Sequence, residues 1–155
     1  MTKVGYSVTA GAAVALSTSA KTVLGVKSHA NFGLDWLGFE IGFDGVTASA
    51  VPVAVEACYC TWATNSPGTN STSVTPAQAY GRVITAGFTA AKTWSAEPTV
   101  LTVIKEFLLT PNGGLLSYRW PLGTTPDCAL AEGFAIRCTA PAAVNLRVSM
   151  DVERA

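Results

Sequence analysis

The clearest pattern of hydrophobic and polar positions lies near the end of the chain, between residues 132 and 153. Apolar residues alternate with other residues on both sides of a short Ala-Pro-Ala-Ala corner: Phe134, Ile136 and Cys138 before it, and Val144, Leu146, Val148, Met150 and Val152 after it. Because successive side chains of a strand point to opposite faces, this pattern predicts two strands, each with one dry face. A second layer must cover that face, so the predicted fold class is an all-β, antiparallel, jelly-roll-like β-sandwich.

Similar alternation elsewhere predicts eight or nine strands in a single domain that spans residues 1–155. The strongest further strands are predicted at residues 34–43, 51–60, 100–109 and 115–120, and residues 11–26 form two short extended pieces. Asp44-Gly45 is a turn signal, and Pro111-Asn112-Gly113-Gly114 predicts a hairpin. No segment has convincing helical periodicity, although residues 78–84 could contain one helical turn.

Two regions are less regular than the rest of the chain. Residues 1–10 are predicted to form a short N-terminal arm or an edge strand. Residues 62–98 are rich in Thr, Ser, Asn, Gly and Pro and predict a long variable loop, with a possible short strand at 82–88 and an exposed Trp94. A loop of this length is more often functional than idle.

Composition points to a protein that works in an assembly. Lysine plus arginine and aspartate plus glutamate balance at 10 each, and charged residues make up 13% of the chain, against about 25% in typical domains. No basic field is present to attract nucleic acid or an anionic membrane. An apolar fraction of 49% with so few charges leaves a free monomer poorly protected against association, so we expect a homo-oligomer.

The chain shows no signal peptide and no membrane span. The apolar run at residues 11–16 is followed at once by Ser-Thr-Ser and is far too short to cross a bilayer. We therefore expect synthesis in a cytoplasm, where the four cysteines would be mostly thiols.

Cys58 and Cys60, with Glu56, share one face of a predicted strand, and a zinc site would need Cys128 and Cys138 as well. The second pair lacks a C-x-x-C arrangement, so small buried thiols are the preferred interpretation. A disulfide that forms after release from the cell is the remaining alternative.

Other candidate chemistry is weak, and no catalytic, cofactor-binding or metal-binding residue is predicted. His29, the only histidine, lies in a predicted loop, and no G-x-S-x-G motif accompanies it. The carboxylates are scattered, which argues against glycoside hydrolysis. Asp44 with Asp35 or Asp127 could hold calcium, but ordinary turn roles are preferred.

The aromatic residues are the more informative feature. Tyrosine and tryptophan are enriched at protein interfaces, and several lie in predicted loops or on wet faces. Together with the N-terminal arm they give the predicted interface set: Tyr6, Val8, Trp62, Tyr80, Trp94 and Trp120. The same aromatics could instead cap the open ends of a sandwich, and loop tryptophans would also suit a carbohydrate site.

Several segments resemble a group of small structural proteins of tailed bacteriophages. The matching pieces are AKTVLGV (20–26), GFEIGFDGVTASAVPVAVE (38–56), AEPTVL (96–101), TPNGGLLSYRWPLG (110–123) and GFAIRCTAPAAVNLRVSM (133–150). They follow the family pattern over roughly two thirds of the chain, and residues 62–93 differ most. The resemblance implies a β-sandwich virion protein that assembles on the capsid as a decoration or minor structural component, and it carries no catalytic residue.

We therefore expect a non-enzymatic phage structural protein, assembled in the host cytoplasm and located in the virion. Symmetric copies, with trimers as the preferred state, would bind the major capsid protein and cement the shell. The alternative is a receptor- or glycan-binding tip domain of a head or tail fibre. A hydrolase is the third possibility and would need two close carboxylates or a partner for His29.

Overall fold

A computed structural model describes residues 3–44 and 51–155, and these residues form twelve β-strands and no helix. No helix long and apolar enough to span a bilayer occurs in this part of the chain. The strands are β1 Gly5–Thr9, β2 Val14–Leu16, β3 Lys21–Lys27, β4 Leu34–Phe43, β5 Val53–Cys60, β6 Thr72–Val74, β7 Ala77–Tyr80, β8 Thr89–Lys92, β9 Leu101–Leu109, β10 Leu115–Arg119, β11 Gly133–Thr139 and β12 Val144–Arg154.

The strands form two antiparallel sheets that pack face to face. Sheet A has the order β10-β4-β12-β1-β7, with β2 also paired to β12, and sheet B has the order β6-β8-β3-β11-β5-β9. One cluster of buried apolar side chains receives residues from both sheets, for example Ile41 and Met150 from sheet A and Val55 and Ile136 from sheet B. The predicted all-β, antiparallel sandwich is confirmed at this level.

Strand β12 is central to sheet A, as its alternation predicts. It pairs with β4 along one side and with β1 and β2 along the other. Leu146, Met150 and Val152 are completely buried, and burial of each such side chain stabilises the fold by roughly 1.5–3 kcal/mol.

The Ala-Pro-Ala-Ala corner and the predicted hairpin turn both carry the chain from one sheet to the other. Gly45 of the third turn signal, Asp44-Gly45, lies outside the described residues. The corner at residues 140–143 joins β11 in sheet B to β12 in sheet A. The turn at residues 110–114 likewise joins β9 in sheet B to β10 in sheet A, so the predicted hairpin is wrong. The physical reason is that the dry faces of both strands need covering: the rings of Phe107 and Tyr118 meet across the sandwich with centroids 5.2 Å apart.

The number of strands is a second correction, because twelve are present where eight or nine were predicted. Strands β6, β7 and β8 are three or four residues long, too short for alternation to reveal them, whereas β2 lies within the first of the two extended pieces predicted at residues 11–26. Residues 82–88 do not form the short strand that was predicted, and β7 occupies part of the segment in which a helical turn was considered.

The N-terminal segment is built into sheet A and is not a free arm from Gly5 onward. Strand β1 pairs with β12 on one side, and the short β7 pairs with its other side. Tyr6 and Val8 point into the core, where the Tyr6 hydroxyl donates a hydrogen bond to the carbonyl oxygen of Ile84 at 2.8 Å.

Residues 62–98 wrap around the sandwich. Strands β6 and β8 extend sheet B beyond β3, and β7 extends sheet A beyond β1. This segment therefore covers the two sheet edges on one side of the sandwich. On the opposite side, β9 and β10 each have a strand partner on one edge only, so that side is open as far as residues 3–44 and 51–155 are concerned.

Candidate functional site

The structure separates the six predicted interface residues. Tyr6, Val8, Trp62 and Trp94 are buried, so the expectation that Trp94 is exposed was wrong. Tyr80 is 43% exposed, and Trp120 is partly buried at the open side. These side chains do not form one continuous surface.

Trp62 and Trp94 form a third layer on the outer face of sheet B. Their rings stack with centroids 5.6 Å apart and an interplanar angle of 17°. They lie over a row of small residues that crosses the sheet, in which Gly25 pairs with Ala91 on one side and with Ala135 on the other. Only small residues leave room for two indole rings at this place.

Hydrogen bonds fix both indole rings in this position. Trp62 Nε1 donates to the carbonyl oxygen of Val26 at 2.9 Å, and Trp94 Nε1 donates to that of Asn65 at 2.7 Å. Trp62 adopts a φ of 54°, a conformation that costs energy for a bulky residue. The stacking and the indole hydrogen bond offset this strain.

The same layer includes one of the cysteines, Cys60. Cys58 and Cys60 lie on the outer face of β5, and all four cysteines are buried and unpaired. Burial raises the pKa of Cys58 to about 12 and that of Cys60 to about 11. Burial also raises the pKa of Cys128 and of Cys138. Thiols of this kind are poor nucleophiles, because the thiolate is the reactive form.

Three carboxylates lie next to one another at one end of sheet A. Asp35 is opposite Glu153 on β12 and forms an isolated bridge with Asp127 on its other side. The ammonium group of Lys3 forms ion pairs with Asp35 and Glu153, and the hydrogen bond from Lys3 to Asp35 is the main cause of the raised pKa of Lys3. Tyr80 lies over Gly5 and donates its hydroxyl to Glu153.

The calcium hypothesis gains no support from this arrangement. Asp44 forms an ion pair with Arg147 at 2.6 Å and is not part of the row with Asp35 and Asp127. Among residues 3–44 and 51–155, no group of three histidine, cysteine or acidic side chains could hold a metal ion. Within the row, Asp35 and Glu153 are instead paired with Lys3.

His29 has a local role in its loop. Its Nδ1 atom accepts a hydrogen bond from the backbone N–H of Asn31 at 3.2 Å, and its ring stacks on Phe32 at 5.3 Å. No hydroxyl, thiol or carboxylate is joined to His29 by a hydrogen bond in the part of the chain that the structure describes.

The open edge of the sandwich is the most distinctive surface, and of the six predicted interface residues only Trp120 lies there. Leu108 on β9 is 76% exposed and Leu115 on β10 is 72% exposed. They flank the turn at residues 110–114, and Val103 and Ile104 on β9 are exposed as well. The signal was present in the sequence: each side of the turn carries two consecutive leucines, and alternation forces one of each pair outward.

A groove runs along the outer face of sheet B beside Leu108. Its volume is about 440 Å³, and it is lined by Ala54, Val55, Glu56, Glu106, Phe107 and Leu108. Glu56 is neutralised by Arg137 at 2.5 Å, whereas Glu106 forms no ion pair with any residue that the structure describes. The groove therefore combines an apolar floor with one free carboxylate.

The inner side of the open edge carries a lysine among aromatic rings. Lys105 points between the sheets, and its ammonium group lies 5.4 Å from the centroid of the Tyr118 ring and 5.9 Å from that of Trp120. The indole nitrogen of Trp120 is buried and has no hydrogen-bond partner among the described residues. Trp120 is thus partly buried at the open edge.

Comparisons with models of protein families, with curated proteins and with solved structures found no match to this chain.

Proposed function

We propose that this chain is a non-enzymatic structural protein of a tailed-phage virion, which self-associates and binds the major capsid protein as a decoration or cement protein. The observation that carries the proposal is the open edge, where Leu108 and Leu115 expose most of their side chains to solvent. Large exposed apolar side chains grouped at one place mark interaction surfaces. Burial of apolar area contributes roughly 25 cal/mol per Å², so such an edge favours association.

We also infer that the sandwich is a jelly roll. If β6, β7 and β8 are set aside and β1 and β2 are counted as one interrupted strand, eight strands remain. Sheet A then has the order β10-β4-β12-β1 and sheet B the order β9-β5-β11-β3, and the chain alternates between sheets except from β5 to β9. This order supports a jelly roll, an architecture used in viral capsid and lectin domains. A fold hosts many functions, so the edge and not the fold carries the functional proposal.

The state of the reactive groups supports a role without catalysis. The cysteines are buried with raised pKa values, and Asp35, Glu56 and Glu153 are engaged with cations. Balanced charge supports protein partners and gives no reason to expect nucleic acid or membrane.

The fibre-tip alternative loses its main support. A glycan-binding surface of loop tryptophans would need exposed rings, but Trp62 and Trp94 are buried against sheet B. We therefore favour the capsid, with the virion, after assembly in the host cytoplasm, as the location of the protein and trimers as its oligomer.

Adding the protein back to particles that lack it tests this function. Phage particles made without the gene for this chain are mixed with the purified protein and then sedimented. We expect saturable binding to the heads, and we expect decorated heads to resist heating better than bare heads. Absence of binding to heads, or binding only to tails or fibres, would contradict the proposal.

A further inference from the structure

The open edge presents two different apolar surfaces, one on each side. On the side of sheet B, the exposed Leu108 borders the groove of about 440 Å³. On the side of sheet A, Leu115 stands on the outer face beside Gly42, whose missing side chain leaves Leu115 protruding. The edge therefore carries a cavity on one side and a projecting leucine on the other.

One charge beside Leu108 is complementary to one beside Leu115, although the Leu115 side also carries Glu40, whose carboxylate accepts a hydrogen bond from the Ser117 hydroxyl at 3.1 Å. Glu106, the outward residue next to Leu108, has no cationic partner among the described residues. Arg119 lies on the same outer face as Leu115, where one of its nitrogens contacts Asp151 at 2.6 Å. A guanidinium group has five N–H donors, so this ion pair leaves donors free for a second carboxylate.

The two leucines also lie at the same position along the strand direction. Leu108 and Leu115 flank one turn and so lie at the same end of β9 and β10. Rotation about an axis parallel to these strands does not change the position of any residue along the strand direction. Such a rotation brings the Leu115 side of one copy to the Leu108 side of the next. Glu106 and Arg119 are then offset by about two residues, or roughly 7 Å along a strand, which an extended arginine can span.

Direct strand pairing between copies is disfavoured at this edge. Lys105 points inward, and β9 carries one extra residue, Ile104, between the partners of Ala57 and Cys58. An inward charge and a bulge are devices that protect edge strands from adding further strands. Contact through side chains is the mode that remains.

We infer that the occupant of the open edge is a second copy of this chain, bound head to tail, with Leu115 and Arg119 of one copy on the Leu108 groove and Glu106 of its neighbour. A contact between two different surfaces closes into a ring when its rotation allows, whereas a two-fold dimer uses one surface twice. The inference rests on the proposed function, because it specifies the surface by which the proposed oligomer forms.

Introducing a charge on either side of the edge tests this assignment. Leu108→Glu and Leu115→Glu change exposed residues, and Val83→Glu is the matched control, since Val83 is 93% exposed on the segment that covers the opposite side. Circular dichroism first verifies folding of each variant. Mass photometry over a dilution series is then expected to show a ring for the wild-type protein and for Val83→Glu. Each edge variant should dissociate with affinity at least about 30-fold weaker, as for a central interface residue.

Mixing the two edge variants tests the head-to-tail geometry. Each variant keeps one intact side, so an equal mixture should form a dimer through one good contact and should not form a ring. A wild-type monomer at all concentrations, or rings that persist in both variants, would overturn the inference. Loss of head binding in Leu108→Glu with a monomeric wild-type protein would instead assign the edge to the capsid protein.

The same samples separate this inference from the proposed function. Rings that form through another surface and still bind heads leave the function standing while the inference fails. Rings that depend on Leu108 and Leu115 but never bind heads leave the inference standing while the function fails.

Discussion

A Cβ atom on Gly25 would lie 2.7 Å from the Cη2 atom of Trp62, closer than real Cβ atoms approach other atoms. It would also lie 3.0 Å from the corresponding atom of Trp94. The absence of a side chain at this one position of β3 is thus a condition for the third layer on sheet B.

Gly25→Val should therefore destabilise the protein. The larger side chain must displace the stacked indoles or bend β3, and overpacking of this kind typically costs about 1–3 kcal/mol in the free energy of unfolding. Urea denaturation followed by tryptophan fluorescence measures the loss.

Gly42→Val is the matched control for this change. Gly42 also lies within a strand on an outer face, but only Leu115 comes near its missing Cβ, at 3.8 Å. We expect its stability to be unchanged or slightly raised, since glycine is weak in strands. Equal stability of the two variants would contradict the packing described for Gly25.

Removal of one indole should expose the thiol of Cys60, which packs in the same cluster. Trp94→Ala is expected to lower stability by about 3–5 kcal/mol and to increase the labelling rate of Cys60 by a thiol reagent. In the wild-type protein, a pKa raised from 9.0 to about 11 lowers the thiolate fraction roughly 100-fold. Mass spectrometry of the labelled protein identifies which cysteine reacts.

Cys138 provides the internal comparison, because it lies in the main core between the sheets and does not contact this layer. Its labelling should stay slow in Trp94→Ala under conditions where the protein remains folded. Equal acceleration at Cys138 would indicate general unfolding, and no acceleration at Cys60 would contradict the role given to Trp94.

The sequence predicted the long, regularly alternating strands of this structure better than it predicted residues 62–98. The bounds of β4, Leu34–Phe43, agree with the prediction because one face alternates strictly and packs on the core. Alternation cannot tell whether two successive strands share a sheet, so the turn at residues 110–114 was misassigned as a hairpin.

The third layer was missed for a different physical reason. Trp62 and Trp94 lie in a polar segment, and local composition predicts exposure there. Their burial depends on Gly25, Ala91 and Ala135, which are far apart in sequence and meet only when β8, β3 and β11 pair. Small residues at outward strand positions were the available signal for this layer. Their alignment across the sheet can be recognised only when the pairing register of the three strands is known.

Stability should fall as the pH rises above the ordinary pKa of a thiol. Burial raises the pKa of Cys58 from 9.0 to about 12 and that of Cys60 to about 11, so the folded protein keeps protons that the unfolded chain releases. The stabilising effect is complete below about pH 9 and is lost between about pH 9 and 12. Each thiol contributes at most about 1.4 kcal/mol per pH unit.

Denaturation midpoints at about pH 8 and about pH 10.5 measure this dependence. Other groups also titrate in this window, so the comparison is with the Cys58→Ala, Cys60→Ala double variant, whose slope should be shallower. Identical slopes for the two proteins would contradict the assignment of this linkage to the thiols.

Lys105→Val should increase aggregation without lowering stability. The variant removes the inward charge that protects the free edge of β9, whereas the lysine forms no ion pair with any residue that the structure describes. Light scattering at rising protein concentration measures aggregation, and thermal unfolding measures stability.

Lys27→Val makes the same chemical change on β3, which has strand partners on both sides. Its scattering should remain that of the wild-type protein. Similar aggregation of both variants would show that loss of charge, and not exposure of an edge, is the cause.

A cryo-electron map of the intact particle, with this chain traced into it, tests the central claim most directly. We predict copies on the capsid lattice around its symmetry axes, with Leu115 of each copy against the Leu108 groove of its neighbour. A bare lattice, with the chain found at a fibre tip or in the tail, would contradict the account.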